Sequence, residues 1–293
     1  MKEFLDTSPS EEGRDSGPFP VEDFIDQHTL QAASRPAYDD LPTWTFQDGM
    51  IGSFLTLAPW LTLAAFSLLV SSAQSTISQP LSPTNDLISG VITLIAQVVL
   101  EGTFLIAPLW FAVYKPRRLA RQRDLPNPGL RSGLHALGFR SFNPWRALIA
   151  LALGLLAILL ASVLYSVIVT NLHLSLQTNV DTLIQRATAE PWTTLATLIG
   201  AVVVAPICEE TFFRGFFFQG LRLRLSVWAS VVFSAILFGL AHGDLGSLVL
   251  LIVIGLLLAV LRWQTRSIWP GVALHMLNNA LGAYIIFQAI RFH

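Results

Sequence analysis

The chain of 293 residues is strongly apolar: 53% of its residues are hydrophobic, 13% are charged, and its formal net charge is -1. Because soluble domains carry about a quarter charged residues, this composition excludes an ordinary soluble fold. The apolar residues lie in runs of about 20, the length with which an α-helix crosses a bilayer. We therefore predict an all-α protein, a polytopic transmembrane helical bundle.

The first 50 residues are acidic, with eleven acidic and three basic side chains. Ser, Pro, Asp and Glu dominate this stretch, and its few apolar residues have no sustained period, a composition that does not support a packed core. We predict a disordered acidic tail over residues 1–48, which is more typical of a solvated linker than of a partner-binding segment.

Seven apolar runs follow the tail. They predict about seven membrane spans, although the fifth and sixth runs are short for a full crossing. The first three runs and their connections form a predicted N-terminal transmembrane region over residues 49–190. The runs cover residues 50–70, 87–114, 145–170, 193–218, 227–241, 248–261 and 268–290.

Basic residues cluster in the loop between the second and third runs, residues 115–146. Because positive loops stay in the cytoplasm, this loop is predicted to be cytoplasmic. Two predicted spans lie between the N-terminus and the loop, so the N-terminus is predicted to be cytoplasmic as well. We expect a multi-pass protein in contact with the lipid bilayer, most simply in the plasma membrane, the inner membrane of the cell. No stacking platform accompanies the basic residues, so nucleic acid is not an expected partner. The cluster comprises Lys115, Arg117, Arg118, Arg121, Arg123, Arg131, Arg140 and Arg146.

The fourth run contains three charged residues, which are costly inside a membrane and tend to mark functional sites. Glu210 and Arg214 are four residues apart, so they share one helix face and are predicted to form an ion pair. Glu209 points about 100° away around the helix axis and lacks such a local counter-ion. This difference predicts that Glu209 is the reactive carboxylate and that Glu210 and Arg214 support it.

Two histidines lie in later runs. Phe238 and His242 share a face of the fifth run, and His275 and Asn279 share a face of the seventh. A base, a second titratable group and two neutral donors are the parts that activate water and stabilise an oxyanion. The pattern therefore favours peptide hydrolysis without a nucleophilic side chain.

Three motifs carry a family resemblance. The segments 209–214 (EETFFR), 238–242 (FGLAH) and 275–279 (HMLNN) resemble, in order and spacing, those of the CAAX-prenyl-protease type II and bacteriocin-processing family, abbreviated CPBP. The flanking residues are similar too, with Ala205-Pro206 before the first motif and Trp269-Pro270-Gly271 before the third. The resemblance covers about residues 193–284.

The resemblance implies that residues 191–293 form the catalytic transmembrane core of an intramembrane glutamic endopeptidase. In that family, Glu209 and His242 would activate water, and His275 and Asn279 would form the oxyanion site. The implied partner is a peptide or membrane-protein substrate, such as a prenylated tail or a leader peptide. The supporting residues would be Glu210, Arg214 and Phe238.

Other functions stay open at this point. Two histidines and a glutamate are also a zinc ligand set, but the local His-Glu-x-x-His arrangement is absent; we therefore expect no cofactor, with a zinc-dependent membrane protease as the alternative. A thiol protease built on Cys208 and His242 is disfavoured because Cys208 has apolar neighbours. A membrane scaffold or regulator and a proton-coupled transporter are the non-proteolytic alternatives. Glu101, isolated in the second run, is either a satisfied interior carboxyl or a substrate-gating group.

Overall fold

The computed structural model describes residues 42–73 and 82–291, and every regular element within them is helical. The predicted all-α class is thereby confirmed. Most of the predicted acidic tail, residues 1–41, lies outside the described residues. The helices are α1 (Phe46–Ala73), α2 (Pro83–Gln122), α3 (Leu130–Ala136), α4 (Pro144–Asn171), α5 (Asn179–Ala187), α6 (Pro191–Leu221), α7 (Val227–Ala241), α8 (Leu248–Thr265) and α9 (Trp269–Arg291).

Four helices in the described ranges are long and apolar enough to cross a membrane, namely α2, α4, α6 and α8. Helix α7 is apolar but shorter, and α1 and α9 carry the first and last predicted runs. Each of the seven runs is thus helical, while the number that cross the bilayer stays a prediction. Helix α4 exposes large apolar side chains, as expected of a surface that faces lipid. They include Leu153, Leu156, Leu160, Val163 and Leu164.

Two prolines widen the helices that contain them. Pro116 in α2 and Pro206 in α6 have no backbone N–H, and their rings crowd the carbonyl four residues earlier. In both helices that carbonyl lies in a π-helical turn, Trp110–Tyr114 and Gly200–Val204. A further π-helical stretch, Thr211–Phe217, follows in α6. The two acids of the fourth run therefore lie in a short regular segment between two widened ones, a feature that is frequent at functional sites.

The start of α1 is tied to the basic end of α2. Thr45 N donates to Asp48 Oδ2 at 3.1 Å, and Asp48 N donates to Thr45 Oγ1 at 3.2 Å, the reciprocal pattern of a capping box. Asp48 Oδ1 also lies 2.6 Å from Lys115 Nζ, and the ring of Trp44 lies 5.1 Å from that of Phe216. Residues 44–48, which we predicted as the end of the tail, are therefore anchored to the bundle beside Lys115. The membrane side that they face stays a prediction.

Helices α2 and α6 pack side by side and run in the same direction. Asp86, near the start of α2, accepts hydrogen bonds from the backbone N–H groups of Trp192 and Thr193 at 2.8 and 3.1 Å. It thereby caps the first turn of α6, whose N–H groups have no partner inside the helix. One turn later on α2, Gly90 lies against the backbone of Trp192. Close contact at a small residue is how helices commonly pack in membranes.

Gly90→Ala should destabilise the protein, because the added Cβ would lie 2.8 Å from the backbone carbonyl of Trp192. Overpacking of this kind costs about 1–3 kcal/mol. Gly102→Ala, at a later position of the same helix, is the matched control, since a Cβ there meets nothing within 4 Å among the described residues. Thermal unfolding in detergent should show a lower midpoint for Gly90→Ala and an unchanged or higher one for Gly102→Ala. Equal midpoints for the two variants would contradict the close contact.

Candidate active site

Helix α6 presents two adjacent buried carboxyl groups, with Glu210 fully buried and Glu209 8% exposed. Arg214 donates from Nη1 to Glu210 Oε1 at 2.8 Å, and from Nη2 to the backbone carbonyl of Gly255 on α8 at 3.1 Å. Its guanidinium carbon lies 4.3 Å from the centre of the Phe238 ring on α7. The ion pair predicted from the four-residue spacing is present, and it connects α6 to two other helices.

His242 follows the last residue of α7 and faces the other acid. Its Nδ1 lies 2.7 Å from the carbonyl oxygen of Phe238, one turn earlier. A carbonyl only accepts, so Nδ1 carries the proton of this hydrogen bond, and Nε2 of the neutral ring is an acceptor. Nε2 lies 3.8 Å from Glu209 Oε2, which is too far for a direct hydrogen bond. A small molecule with two donor hydrogens can bind between these two acceptors and donate one hydrogen bond to each.

His275 on α9 lies beside the buried ion pair. Its Nδ1 is 3.5 Å from Glu210 Oε1, the oxygen that Arg214 also binds. The residue is buried, with 3% of its surface exposed. Glu210 therefore lies between a guanidinium and an imidazole, where it can orient both.

Asn279 lies one turn beyond His275 on the same helix. Its Nδ2 donates to the carbonyl oxygen of Ala201 at 2.8 Å, and its Oδ1 accepts from Asn278 Nδ2 at 3.1 Å. Ala201 belongs to the widened turn Gly200–Val204 of α6. One amide proton of Asn279 thus fixes the side chain against α6, and the amide has a second proton with which to bind a ligand.

Phe238 contacts three of the other predicted residues. Its ring lies 4.6 Å from that of His242 and 5.6 Å from that of His275, and it packs under the guanidinium of Arg214. Phe238 itself is fully buried. The structure therefore brings together, with Asn279 one turn away, the predicted residues Glu209, Glu210, Arg214, Phe238, His242 and His275.

Asp244 is a residue near the site that the motif spacings do not reveal. Its Oδ2 accepts a hydrogen bond from the backbone N–H of Asn179 on α5 at 2.9 Å, and its Oδ1 accepts from that of Ser247 at 3.0 Å. The carboxylate therefore holds the loop that follows His242. The signal that could have indicated it is an acid two residues after a histidine in an otherwise apolar region.

A zinc site and a thiol nucleophile are the two alternatives that depend on geometry. In the part of the chain that the structure describes, no group of three or more His, Cys, Asp or Glu side chains is arranged to hold a metal ion. The two histidines are divided between the adjacent acids, since His242 faces Glu209 whereas His275 approaches Glu210. The thiol of Cys208 is buried in the hydrophobic core.

Comparison with known proteins gives one family match and two relatives. Residues 191–281 match the family model described as Type II CAAX prenyl endopeptidase Rce1-like. A Bacillus subtilis (strain 168) protein named "Putative membrane peptidase YdiL" is 29% identical over 94 residues, which are 32% of this chain and 38% of the relative. An Escherichia coli protein named "Uncharacterized 24.3 kDa protein" is 32% identical over 93 residues, which are 30% of this chain and 43% of the relative.

The match therefore spans less than half the length of either curated relative. No solved structure is significantly similar to the chain. The matched residues contain all three motifs on which the sequence resemblance rests.

Proposed function

We propose that the protein is a membrane-embedded endopeptidase, because residues 191–281 match the family model of type II CAAX prenyl endopeptidases. The family and the four apolar helices indicate an integral membrane protein. The observation that carries the proposal is the facing pair of Glu209 and His242, 3.8 Å apart among apolar helices. Ionisable groups in such a place are typical of function rather than of packing.

In the proposed reaction, water binds between Glu209 and His242. Glu209 Oε2 and His242 Nε2 are both acceptors, so one water molecule can donate a hydrogen bond to each. Glu209 takes a proton from this water as the water oxygen forms a bond to the peptide carbonyl carbon. The proton then passes to the amine nitrogen as the C–N bond breaks. Glu209 suits this role better than Glu210, because Arg214 holds Glu210 in the buried ion pair.

His275 and Asn279 are the proposed donors to the oxyanion that forms on the attacked carbonyl. They lie one turn apart on one face of α9; Asn279 donates to the carbonyl of Ala201 on α6, and His275 Nδ1 lies 3.5 Å from Glu210 Oε1. Donors that are fixed before the reaction stabilise developing charge without reorganising during it. Glu210, Arg214 and Phe238 are proposed to hold this arrangement in place.

The substrate is proposed to be a peptide or a membrane-protein segment, with prenylated tails and leader peptides as two candidate classes. Cleavage is proposed to need no metal, because an acid and an imidazole already bind the water. We propose the plasma membrane as the location and the cytoplasm as the side of the N-terminus. The support for this orientation is that the start of α1 lies beside the basic end of α2.

Mapping of new peptide termini in membranes tests the proposal. Cells would carry the wild type, Glu209→Gln, whose amide cannot take up the water proton, or Asp124→Asn as the matched control. Asp124 is an exposed carboxylate with a φ of 52°, a conformation that asparagine also adopts. We expect a set of termini that the wild type and Asp124→Asn share and that Glu209→Gln lacks. Identical termini in the wild type and Glu209→Gln would overturn proteolysis and favour the scaffold alternative.

A further inference from the structure

Glu101 is a carboxyl inside the membrane region that the proposed reaction does not use. It lies on α2 between two contacts with α6. One turn before it, Gln97 touches Gly200, and three residues after it the ring of Phe104 lies 5.2 Å from that of Phe212. Glu101 therefore faces the stretch of α6 between these two contacts.

Glu209 lies within that same stretch of α6. The segment Ala205–Glu210 packs directly against α2. Cys208, the residue next to Glu209, lies in the same buried cluster as Phe104 and Phe212. Glu101 and Glu209 lie at one level of the interface between the parallel helices α2 and α6, because each lies three residues before one member of the Phe104–Phe212 contact.

Each of these two carboxyl groups has one buried oxygen without a partner. Oε2 of Glu101 and Oε2 of Glu209 accept no hydrogen bond from a donor among the described residues. A buried polar atom without a partner is costly, and two ionised carboxylates in one dry site repel each other. A single proton between the groups removes both penalties, since a protonated carboxyl can donate to an ionised one.

The surrounding groups favour Glu101 as the carboxyl that carries this proton. Glu209 and its neighbour Cys208 lie in the segment of α6 that packs against α2, and neither side chain stabilises a negative charge on Glu101. Glu209 is close to groups that can carry a positive charge or bind its oxygens through water. His242 beside α7 faces Glu209, and Arg214 on α6 and His275 on α9 lie beside the adjacent Glu210.

We propose that Glu101 and Glu209 hold one proton between them, and that Glu101 positions Glu209 by donating a hydrogen bond to it. The inference rests on the proposed function, in which Glu209 is the base. During cleavage the water proton goes to Glu209 and leaves with the amine, while the proton on Glu101 stays in place. The pair therefore returns to its starting state after each turnover.

Two substitutions test separately whether position 101 acts as a hydrogen-bond donor and whether it must be able to ionise. Glu101→Gln keeps a donor that cannot ionise, and Glu101→Leu keeps no donor. The assay measures the cleavage rate of a peptide that spans a mapped cleavage site. We expect Glu101→Gln to stay within about threefold of the wild-type rate. We expect Glu101→Leu to lower the rate by about 10–100-fold, as when the partner of a reactive group is removed. Glu101→Gln should also stay active to higher pH, because the wild type loses its donor when Glu101 ionises. A Glu101→Gln variant as inactive as Glu101→Leu, or with an unchanged pH profile, would overturn the donor role.

Infrared difference spectroscopy of the purified full chain in detergent detects the shared proton without any substrate. We expect a protonated-carboxyl band at neutral pH that Glu101→Gln removes, that Glu209→Gln shifts, and that Gln97→Leu, one turn away, leaves unchanged. A wild type without this band, or a band insensitive to Glu101→Gln, would overturn the pair. If the wild type and Glu209→Gln produce the same termini, the protease function fails, and the infrared band still decides whether the pair holds a proton.

Discussion

Arg214→Gln is expected to lower the free energy of unfolding by about 3–5 kcal/mol, because it leaves Glu210 as a buried charge without its partner. Both side chains of the ion pair are fully buried. The guanidinium also binds the carbonyl of Gly255 and covers the ring of Phe238, and the shorter glutamine cannot replace all three contacts. Unfolding of the purified variant by denaturant in detergent, followed by tryptophan fluorescence, measures the loss.

Two controls distinguish the unpaired charge from the lost packing. Arg118→Gln removes an exposed arginine of α2 and should change the free energy of unfolding by less than about 0.5 kcal/mol. Glu210→Gln combined with Arg214→Met removes both charges and should recover part of the loss, since neutral groups can replace a buried ion pair at little cost. A double variant less stable than Arg214→Gln alone would contradict the charge explanation.

His242→Ala is expected to lower the cleavage rate by about 10²–10⁴-fold, the usual contribution of a group that assists proton transfer. In the proposed reaction, Nε2 of His242 binds the attacking water opposite Glu209, and the hydrogen bond from Nδ1 to Phe238 keeps Nε2 unprotonated. The side chain is 26% exposed, so its removal should affect stability less than activity. Initial rates on a mapped peptide, together with the unfolding midpoint, measure the two effects separately.

His135→Ala is the matched control for His242→Ala, because His135 is an exposed histidine of α3 that lies in none of the three motifs. It should keep the wild-type rate. A His242→Ala variant that retains more than about a tenth of the wild-type rate would contradict the role in binding water.

Much of the site could be predicted from local spacing. Glu210 and Arg214 were expected to pair because residues four apart share a helix face, and the structure places them 2.8 Å apart. The same rule linked Phe238 with His242, whose ring and backbone contacts are present. What local spacing could not give was the contact between Glu210 and His275, because it joins two helices that are distant in the chain.

The boundaries of the helices were predicted less well than their existence. Helix α1 begins at Phe46, where a capping box starts it, and not near Met50, where the apolar run starts. Hydropathy predicts which residues can lie in lipid. The residue at which a helix begins depends instead on which side chains bind the free N–H groups of its first turn. The number of spans stays a prediction for the same reason, since length and hydropathy qualify four helices and leave the shorter ones to their packing.

The sequence by itself determined that the protein is a bundle of apolar helices with a Glu, His and Asn motif set, because helix period and bilayer thickness act on neighbouring residues. Only the tertiary structure decided which groups meet across helices. Asp86 caps a helix 106 residues further along the chain, and Glu101, an isolated acid of the second run, lies on the helix that packs against the segment carrying Glu209. Such contacts depend on how closely small and large side chains allow two helices to pack. Local spacing in the sequence does not predict this packing.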